Sequence, residues 1–431
     1  NIIAYDKFDF DGKKESMYAL RPAFDTVADM IGKGKKVPES LLGIFAQNPE
    51  YSAKLDSLIN AKDKVPFKIF DKKNAEKLFG KNLNISASQL EKFNLCRFSY
   101  FCNYGLNVRE RQRAEINPMQ YGTIVHYILE RFFGEYTKEE YLSLEEDKFQ
   151  KIVCAYLAEY AVKYFGEEQL ESNSFTYRLK TILDNVMYLM KHIMEELSQS
   201  EFFVADCELK IGEDIPSYTI VLPDGHKIAV CGSVDRVDIM QRADITYLRI
   251  IDYKTGTKQF KLSDILYGIN LQMLLYLHSI EASGGDKYGE IVPAGILYMP
   301  ATVPYISSDS LKSIDKLPDE LNKKLKMNGL LLKDTEIIHG MDKTDVATYI
   351  PVKIKAGEPV SSTSLATLAE FGKIFKKVDM LIAEMGKNIY NGNIEAKPLK
   401  GGHDSCEYCP YDSVCAYSCL LYTSDAADEE D

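Results

Sequence analysis

No stretch of this 431-residue chain approaches the roughly 18 uninterrupted apolar residues that a membrane-spanning helix needs, so no membrane span is expected. The sequence opens at Asn1 without a basic segment and apolar core, so no secretory leader is expected. The missing initiator Met predicts a chain that starts inside a longer protein. No G-x4-G-K-[ST] occurs, which removes the readable nucleotide-phosphate loop; Gly32-Lys33-Gly34-Lys35 lacks the spacing and reads as a turn. No internal repeat and no low-complexity linker is found. Positive charge is also short. The net charge of −12 argues at first against a nucleic-acid partner, although five acids in the last seven residues account for much of it, leaving −7 for the remainder. Basic clusters persist at Arg109, Arg111 and Arg113, at Lys254, Lys258 and Lys261, at Lys323, Lys324 and Lys326, and at Lys373, Lys376 and Lys377, each of which also reads as a solvated helix face. Nine cysteines without a leader predict a reducing, cytoplasmic setting, with Cys102, Cys154, Cys207 and Cys231 as small core residues.

What is present is a two-strand pattern carrying acids. Residues 227–240 and 245–254 are rich in Val, Ile and Tyr, and the polar break 241–244 reads as a hairpin turn. Side chains alternate along a strand, so Asp252 and Lys254 share one face and Tyr253 the other; a paired neighbour brings Asp235 to the first face. Two carboxylates and an ammonium in a buried hairpin are costly unless a cation and a phosphate complete the charge balance. Mg²⁺ takes such hard oxygen ligands, and metal-assisted phosphodiester hydrolysis is the chemistry that suits them. The bland reading is a salt-bridged hairpin, Asp252 with Lys254 and Asp235 with Arg236.

Around the hairpin, residues 1–80 are helical in flavour. Residues 84–91 lead into a helix capped by Ser86 or Ser88, with Ser88 and Glu91 fitting a capping box. Residues 119–133 form an amphipathic helix, and 138–199 are largely helical. Residues 203–211, 218–222 and 294–300 read as strands, and 264–280, 317–332 and 364–390 as helices. Helices flanking a strand cluster predict an α/β or α+β core. Gly122, His126 and Glu130 fall at i, i+4, i+8 on one helix face. His126 is either a metal ligand or a hydrogen-bonded core histidine, and Gly122 permits close approach of a backbone or of DNA. Gln272 and Tyr276, also four apart, either support Lys254 and a phosphate or pack as ordinary helix residues. Glu208 is a further candidate acid.

Cys406-x2-Cys409-x5-Cys415 has metal-ligand spacing in a segment too polar for a core. Its fourth ligand could be Cys419 or, more informatively, Cys96, which would close a loop of about 310 residues and staple the chain ends together. Zinc and an iron–sulfur cluster fit equally on ligand count.

Together these residues resemble the RecB-type branch of the PD-(D/E)XK nuclease superfamily. The elements follow that family's order: Gly122 and His126, Gly232 to Arg236, Asp252 to Gly256, then Gln272 and Tyr276. The segment from Ser86 to Phe101, the late cysteines, Gly295 to Tyr298 and Lys326 to Leu331 are similar to the AddB members of AddAB-type helicase–nucleases. The resemblance covers residues 84–417. It implies an α/β restriction-endonuclease-like core, a central mixed sheet flanked by helices, with an iron–sulfur staple joining its N- and C-terminal parts. It implies Mg²⁺-dependent exonuclease activity on DNA in double-strand-break repair and recombination, with single-stranded DNA from unwinding as substrate and an AddA-like helicase/nuclease subunit as heterodimer partner. Asp235, Asp252, Lys254, Gln272 and Tyr276 become the catalytic set; His126, Asp235, Asp252 and the Tyr253 carbonyl become the Mg²⁺ ligands; and Cys96, Cys406, Cys409 and Cys415 become the ligands of a [4Fe–4S] cluster. Residues 1–83 would be the remnant of a helicase-like region, and 418–431, without counterpart, a non-native disordered tail. A standalone RecB-type iron–sulfur exonuclease and a catalytically silent DNA-binding scaffold are the competing readings.

Overall fold

The β-branched runs at the centre of the sequence form strands, and their alternation decides which acids meet. A computed structural model describes residues 20–32, 35–60, 68–109, 118–166, 172–256, 259–304, 317–344, 346–361, 363–399, 405–415 and 417. The tail expected at 418–431, with Cys419, and the basic residues Arg111, Arg113 and Lys258 lie outside these residues. The chain divides into two units, residues 1–68 with 411–431, and Ile69–Pro410. In the first, helices α1 (Leu20–Gly32), α2 (Glu39–Ala46) and α3 (Ser52–Asn60) enclose a small core of Val27, Phe45 and Leu55, with Phe24 and Tyr51 rings 4.8 Å apart.

The second unit is built on a six-stranded mixed sheet in the order β11 (Leu365–Ala366), β8 (Asn328–Leu332), β7 (Glu290–Pro300), β6 (Ile245–Lys254), β5 (Gly232–Arg242), β2 (Phe203–Ile211). The β5–β6 pair is an antiparallel hairpin, in register from Arg236 opposite Ile251 to Arg242 opposite Ile245. β6 runs parallel to β7, a connection that carries α8 (Gln272–Ser283) across one face of the sheet. Before the sheet come α4 (Ala87–Leu95), α5 (Pro118–Glu135), α6 (Glu146–Phe165) and α7 (Asn173–Ser198); after it comes α9 (Leu368–Tyr390). A smaller sheet holds β1 (Asn82–Ile85), β4 (Lys227–Val230) and β3 (Thr219–Val221), and β9 (Lys353–Lys355) pairs with β10 (Glu358–Val360). The main core runs through both sheets and their helices, and no described helix is long and apolar enough to cross a membrane.

Five sequence expectations are corrected. The helix over 264–280 is a 3-10 turn, Leu262–Tyr267, that ends at left-handed Gly268, followed by α8 from Gln272. The single strand over 227–240 is two, because the chain leaves the small sheet at Cys231, whose N–H bonds the Ile85 carbonyl at 2.8 Å, and enters the large one at Gly232. The helix over 317–332 stops at Leu325, and 328–332 is a strand; a Cβ at Gly329 would strike the Ile296 carbonyl, so glycine allows β8 to close on β7. The helix expected from 364 begins at Leu368, after a two-residue strand, behind a capping box of Thr367 and Glu370. The box before α4 uses Ser86 and Gln89; Glu91 instead accepts the Leu271 N–H at 2.9 Å, tying α4 to the start of α8.

Candidate active site

Asp235 sits on β5 at the open end of the hairpin, one residue before the Arg236–Ile251 pair, and its Oδ2 accepts the N–H of Tyr253 across the strand pair at 2.9 Å. Helix α5 crosses this end of the sheet and presents His126. The ring's Nδ1 lies 2.8 Å from Glu208 Oε1 on β2, and its Nε2 lies 3.6 Å from Asp235 Oδ2. His126, Glu208 and Asp235 offer ligand atoms that all lie within 4.8 Å of one another, the one such group among the described residues. Asp252 is 2% exposed; its Oδ1 accepts from Gln272 Nε2 at 3.1 Å and its carboxylate pairs with Lys254. The expected Asp252–Lys254 pair is therefore formed, within the acidic cluster rather than in place of it. Asp235 does not pair with Arg236, which alternation sends to the other face.

The electrostatics fit a cation. Burial first, and then the negative charge of Asp252, push the Asp235 carboxyl up to about 7, against the pull of His126 and the Tyr253 amide. Burial alone would lower His126, but its bond to Glu208 and the charge of Asp235 leave it raised. Burial would raise Glu208, yet bonds from His126 and from Ser233, at 2.8 Å, hold it below the usual carboxylate value. An imidazole held at Nδ1 by a carboxylate, with Nε2 turned toward a second acid, is the usual support for a metal-binding histidine. The donor set therefore fits a hard divalent ion. The Tyr253 side chain alternates away from Asp235 and Asp252, and its ring packs edge-on against the His126 imidazole, with centroids 5.8 Å apart.

Packing sets the positions of Tyr276, Gly122 and Glu130. Tyr276, one turn after Gln272 on α8, lies over Gly232, where any Cβ would collide with the phenol; burial raises Tyr276 to about 12, with the Ala87 backbone opposing. Among the described residues, an added Cβ at Gly122 would meet the Thr255 methyl, at 3.8 Å, an ordinary contact. Gly122, His126 and Glu130 line one cleft of about 920 Å³ with Lys254 and Glu208. On α5, the Tyr121 hydroxyl bonds the Ala301 carbonyl at 3.0 Å, and the Ala301 N–H bonds the Lys254 carbonyl at 2.8 Å, which fixes the strand end that carries the lysine.

Sequence reasoning missed the layer beneath. On the opposite face of the hairpin, Arg236, Asp238, Arg249 and Glu196 of α7 are all fully buried. Arg236 grips Asp238 through two bonds of 2.7 Å and reaches Glu196 at 3.0 Å; Arg249 reaches Glu196 at 2.6 Å and Asp238 at 3.0 Å. Arg236 also donates to the Tyr253 hydroxyl at 3.2 Å. The period-two spacing of Arg236 and Asp238 was the available signal. Glu208, a candidate acid from the sequence, has a φ of 51°, strained for a non-glycine residue in a strand, and its carboxylate meets His126 and Ser233.

Of the four cysteines expected to share a metal, Cys96 and Cys409 are near neighbours. Burial raises the Cys96 thiol and proximity to Cys409 raises it further, while the N–H groups of Ser99 and Phe98 point the other way. The Cys409 N–H bonds the Cys406 carbonyl at 3.1 Å, and Cys415 Sγ accepts from Tyr417 N–H at 3.4 Å. Cys415 belongs to the other compact unit. Amide N–H groups directed at sulfur suit thiolate ligands.

The sequence profile of the PD-(D/E)XK nuclease superfamily matches residues 84–416, and the chain belongs to that superfamily. Within it the chain is AddB-like. It is 30% identical over 461 aligned positions to the B subunit of the ATP-dependent helicase/deoxyribonuclease of Clostridium acetobutylicum, covering 99% of this chain and 39% of that protein. It is 34% identical over 354 positions to the corresponding protein of Thermoanaerobacter sp. strain X514, covering 79% and 30%. With that of Clostridium kluyveri the identity is 35% over 386 positions, covering 84% and 33%. The chain thus spans well under half the length of these curated relatives.

Proposed function

We propose that this chain is the nuclease part of an AddB-like subunit and hydrolyses phosphodiester bonds of DNA as an exonuclease with Mg²⁺. The observation that carries the reading is the convergence of Asp235, His126 and Glu208 beside a buried Asp252 that holds Lys254. His126, Asp235, Asp252 and the Tyr253 carbonyl would hold the metal. When bound, Mg²⁺ neutralises phosphate charge and lowers the pKa of a bound water. The protein's own contribution is placement. Gln272 holds one oxygen of Asp252, and Lys254 stands on the other side of the same carboxylate, where its ammonium can hold a water or a phosphate oxygen. Glu208 orients His126, and Tyr276 locks α8 onto Gly232.

The same reading makes Cys96, Cys406, Cys409 and Cys415 the ligands of a [4Fe–4S] cluster, residues 1–83 the end of a helicase-like region, and an AddA-like subunit the partner in cytoplasmic double-strand-break repair. The resemblance and the sulfur-directed amides support the cluster.

The test is cleavage of end-labelled single-stranded DNA with Mg²⁺. Asp252→Ala is expected to abolish it and to retain the far-ultraviolet spectrum of the parent; full cleavage by the variant would remove the site assignment. Anaerobic purification should yield a brown protein with iron and sulfide, whereas a colourless protein with stoichiometric zinc would replace the cluster by a structural zinc site.

A further inference from the structure

The cleft that holds the acids has a second wall, and the catalytic set uses none of it. Tyr127 on α5 and Tyr160 and Tyr164 on α6 line the same cleft as His126 and Lys254. Their rings form a continuous series: Tyr127 to Tyr160 has a centroid separation of 5.2 Å, and Tyr160 to Tyr164 one of 4.4 Å with an interplanar angle of 33°. The middle ring is buried and the ends are more open, Tyr127 partly and Tyr164 most. Tyr160 is 5% exposed, whereas Tyr164, at the end, is 55% exposed. The Tyr127 hydroxyl is fixed by Glu159 at 2.7 Å, and the Lys163 ammonium lies 5.2 Å from the Tyr164 ring centre and 6.0 Å from that of Tyr127.

A lone exposed tyrosine needs no explanation. Three tyrosines in series, the outermost open to a cleft, rigidly backed and flanked by a cation, match what an unstacked nucleobase needs: a flat π face that is already ordered, with a positive charge for the neighbouring phosphate. Base pairs in a duplex have both faces covered, so the wall selects single strands.

We infer that Tyr164, backed by Tyr160 and Tyr127, is a stacking platform for a base of single-stranded DNA entering the cleft, with Lys163 beside its backbone. The inference rests on the nuclease reading for the polymer's identity, but its readout is binding rather than cleavage.

The chain contains no tryptophan, so Tyr164→Trp in the full chain gives a protein with one tryptophan at the platform. Ca²⁺ replaces Mg²⁺, and the fluorescence is titrated with oligothymidylate about 12 nucleotides long. Saturable quenching by the oligonucleotide, absent with a blunt duplex of equal length, is expected. Tyr164→Ala should weaken binding measured by anisotropy by roughly 5- to 150-fold, and Tyr164→Phe by less than about twofold. An unquenched Tyr164→Trp, or a Tyr164→Ala that binds within about twofold of the parent, overturns the platform. If the parent then still cleaves DNA, the nuclease reading survives that loss. Quenching in a chain whose parent cleaves nothing instead supports the platform and overturns the nuclease reading.

Discussion

Asp235 shows how a single side chain can be unfavourable for the fold and necessary for the site. Its carboxyl is held at about 7 against an ordinary value of 3.8, so the folded chain binds a proton there that the unfolded chain has released. Ionising it therefore weakens the metal-free fold as pH rises from about 4 through about 7. Asp235→Asn removes that charge. Its metal-free Tm should exceed the parent's by a few degrees at pH 8, and the difference should vanish near pH 4, as calorimetry in EDTA can check. Mg²⁺ should raise the parent's Tm, while Asp235→Asn should show little of this shift. Glu208 acts one step further out, through the imidazole. Glu208→Gln keeps the hydrogen bond and loses the charge, and should lower metal affinity about 10- to 100-fold in a titration followed by cleavage rate.

At the scale of elements, the hairpin is fastened from both sides. Above it, Gly232 and Tyr276 are a matched pair. Gly232→Ala forces the phenol away and should cost about 1–3 kcal/mol in chemical denaturation. The double change Gly232→Ala with Tyr276→Ala should cost less than the sum of the single changes. Beneath it, the buried quartet ties α7 to β5 and β6. Burial alone would raise Asp238, but Arg236 and Arg249 keep its carboxyl below 3.8, so its contribution is complete above that pH and is lost as pH falls through its lowered value. Glu196→Ala leaves two buried guanidinium groups sharing one acid and should destabilise the chain by about 3–5 kcal/mol in urea. These fastenings mark the boundary of what the sequence made legible. Alternation alone set Asp252 and Lys254 on one face and Tyr253 on the other, and the helical spacing of Gly122, His126 and Glu130 placed the histidine correctly on a helix. Glu196 lies forty residues before Arg236, and no local pattern announces that they touch. The break at Cys231 and the strand at 328–332 were hidden for a related reason. Tertiary pairing with β1 and β7 decides them, and the residues themselves are compatible with a longer strand or a longer helix.

At the scale of the molecule, the mixed sheet was legible as strands flanked by helices, whereas its order was not, because a parallel pair such as β6 and β7 leaves no mark on either strand's sequence. The cysteine frame belongs to this scale as well. If Cys409 is a cluster ligand, Cys409→Ser should lose iron and visible absorbance and be cut faster by trypsin, whereas Asp252→Ala should keep the iron content and cleavage pattern of the parent. Iron analysis and limited proteolysis on the two variants make the comparison.

The pairing of β1 with β4 has a consequence in time. Asn82 lies opposite Lys227, in parallel register, across a stretch of sequence that includes both α5 and α6. The β5–β6 hairpin needs only the closure of a tight turn, an event on the order of microseconds, while bringing β1 to β4 requires the entropy of a very long loop to be overcome first. The order of assembly follows. The strand pair bearing Asp235 and Asp252 is expected to form early and locally, and α5, which packs on β2 and β6, to join it by a longer-range closure. A refolding chain is therefore expected to pass through a species that has both acids in register and not yet the histidine, so recovery of tight metal binding should lag behind recovery of β-structure in stopped-flow refolding.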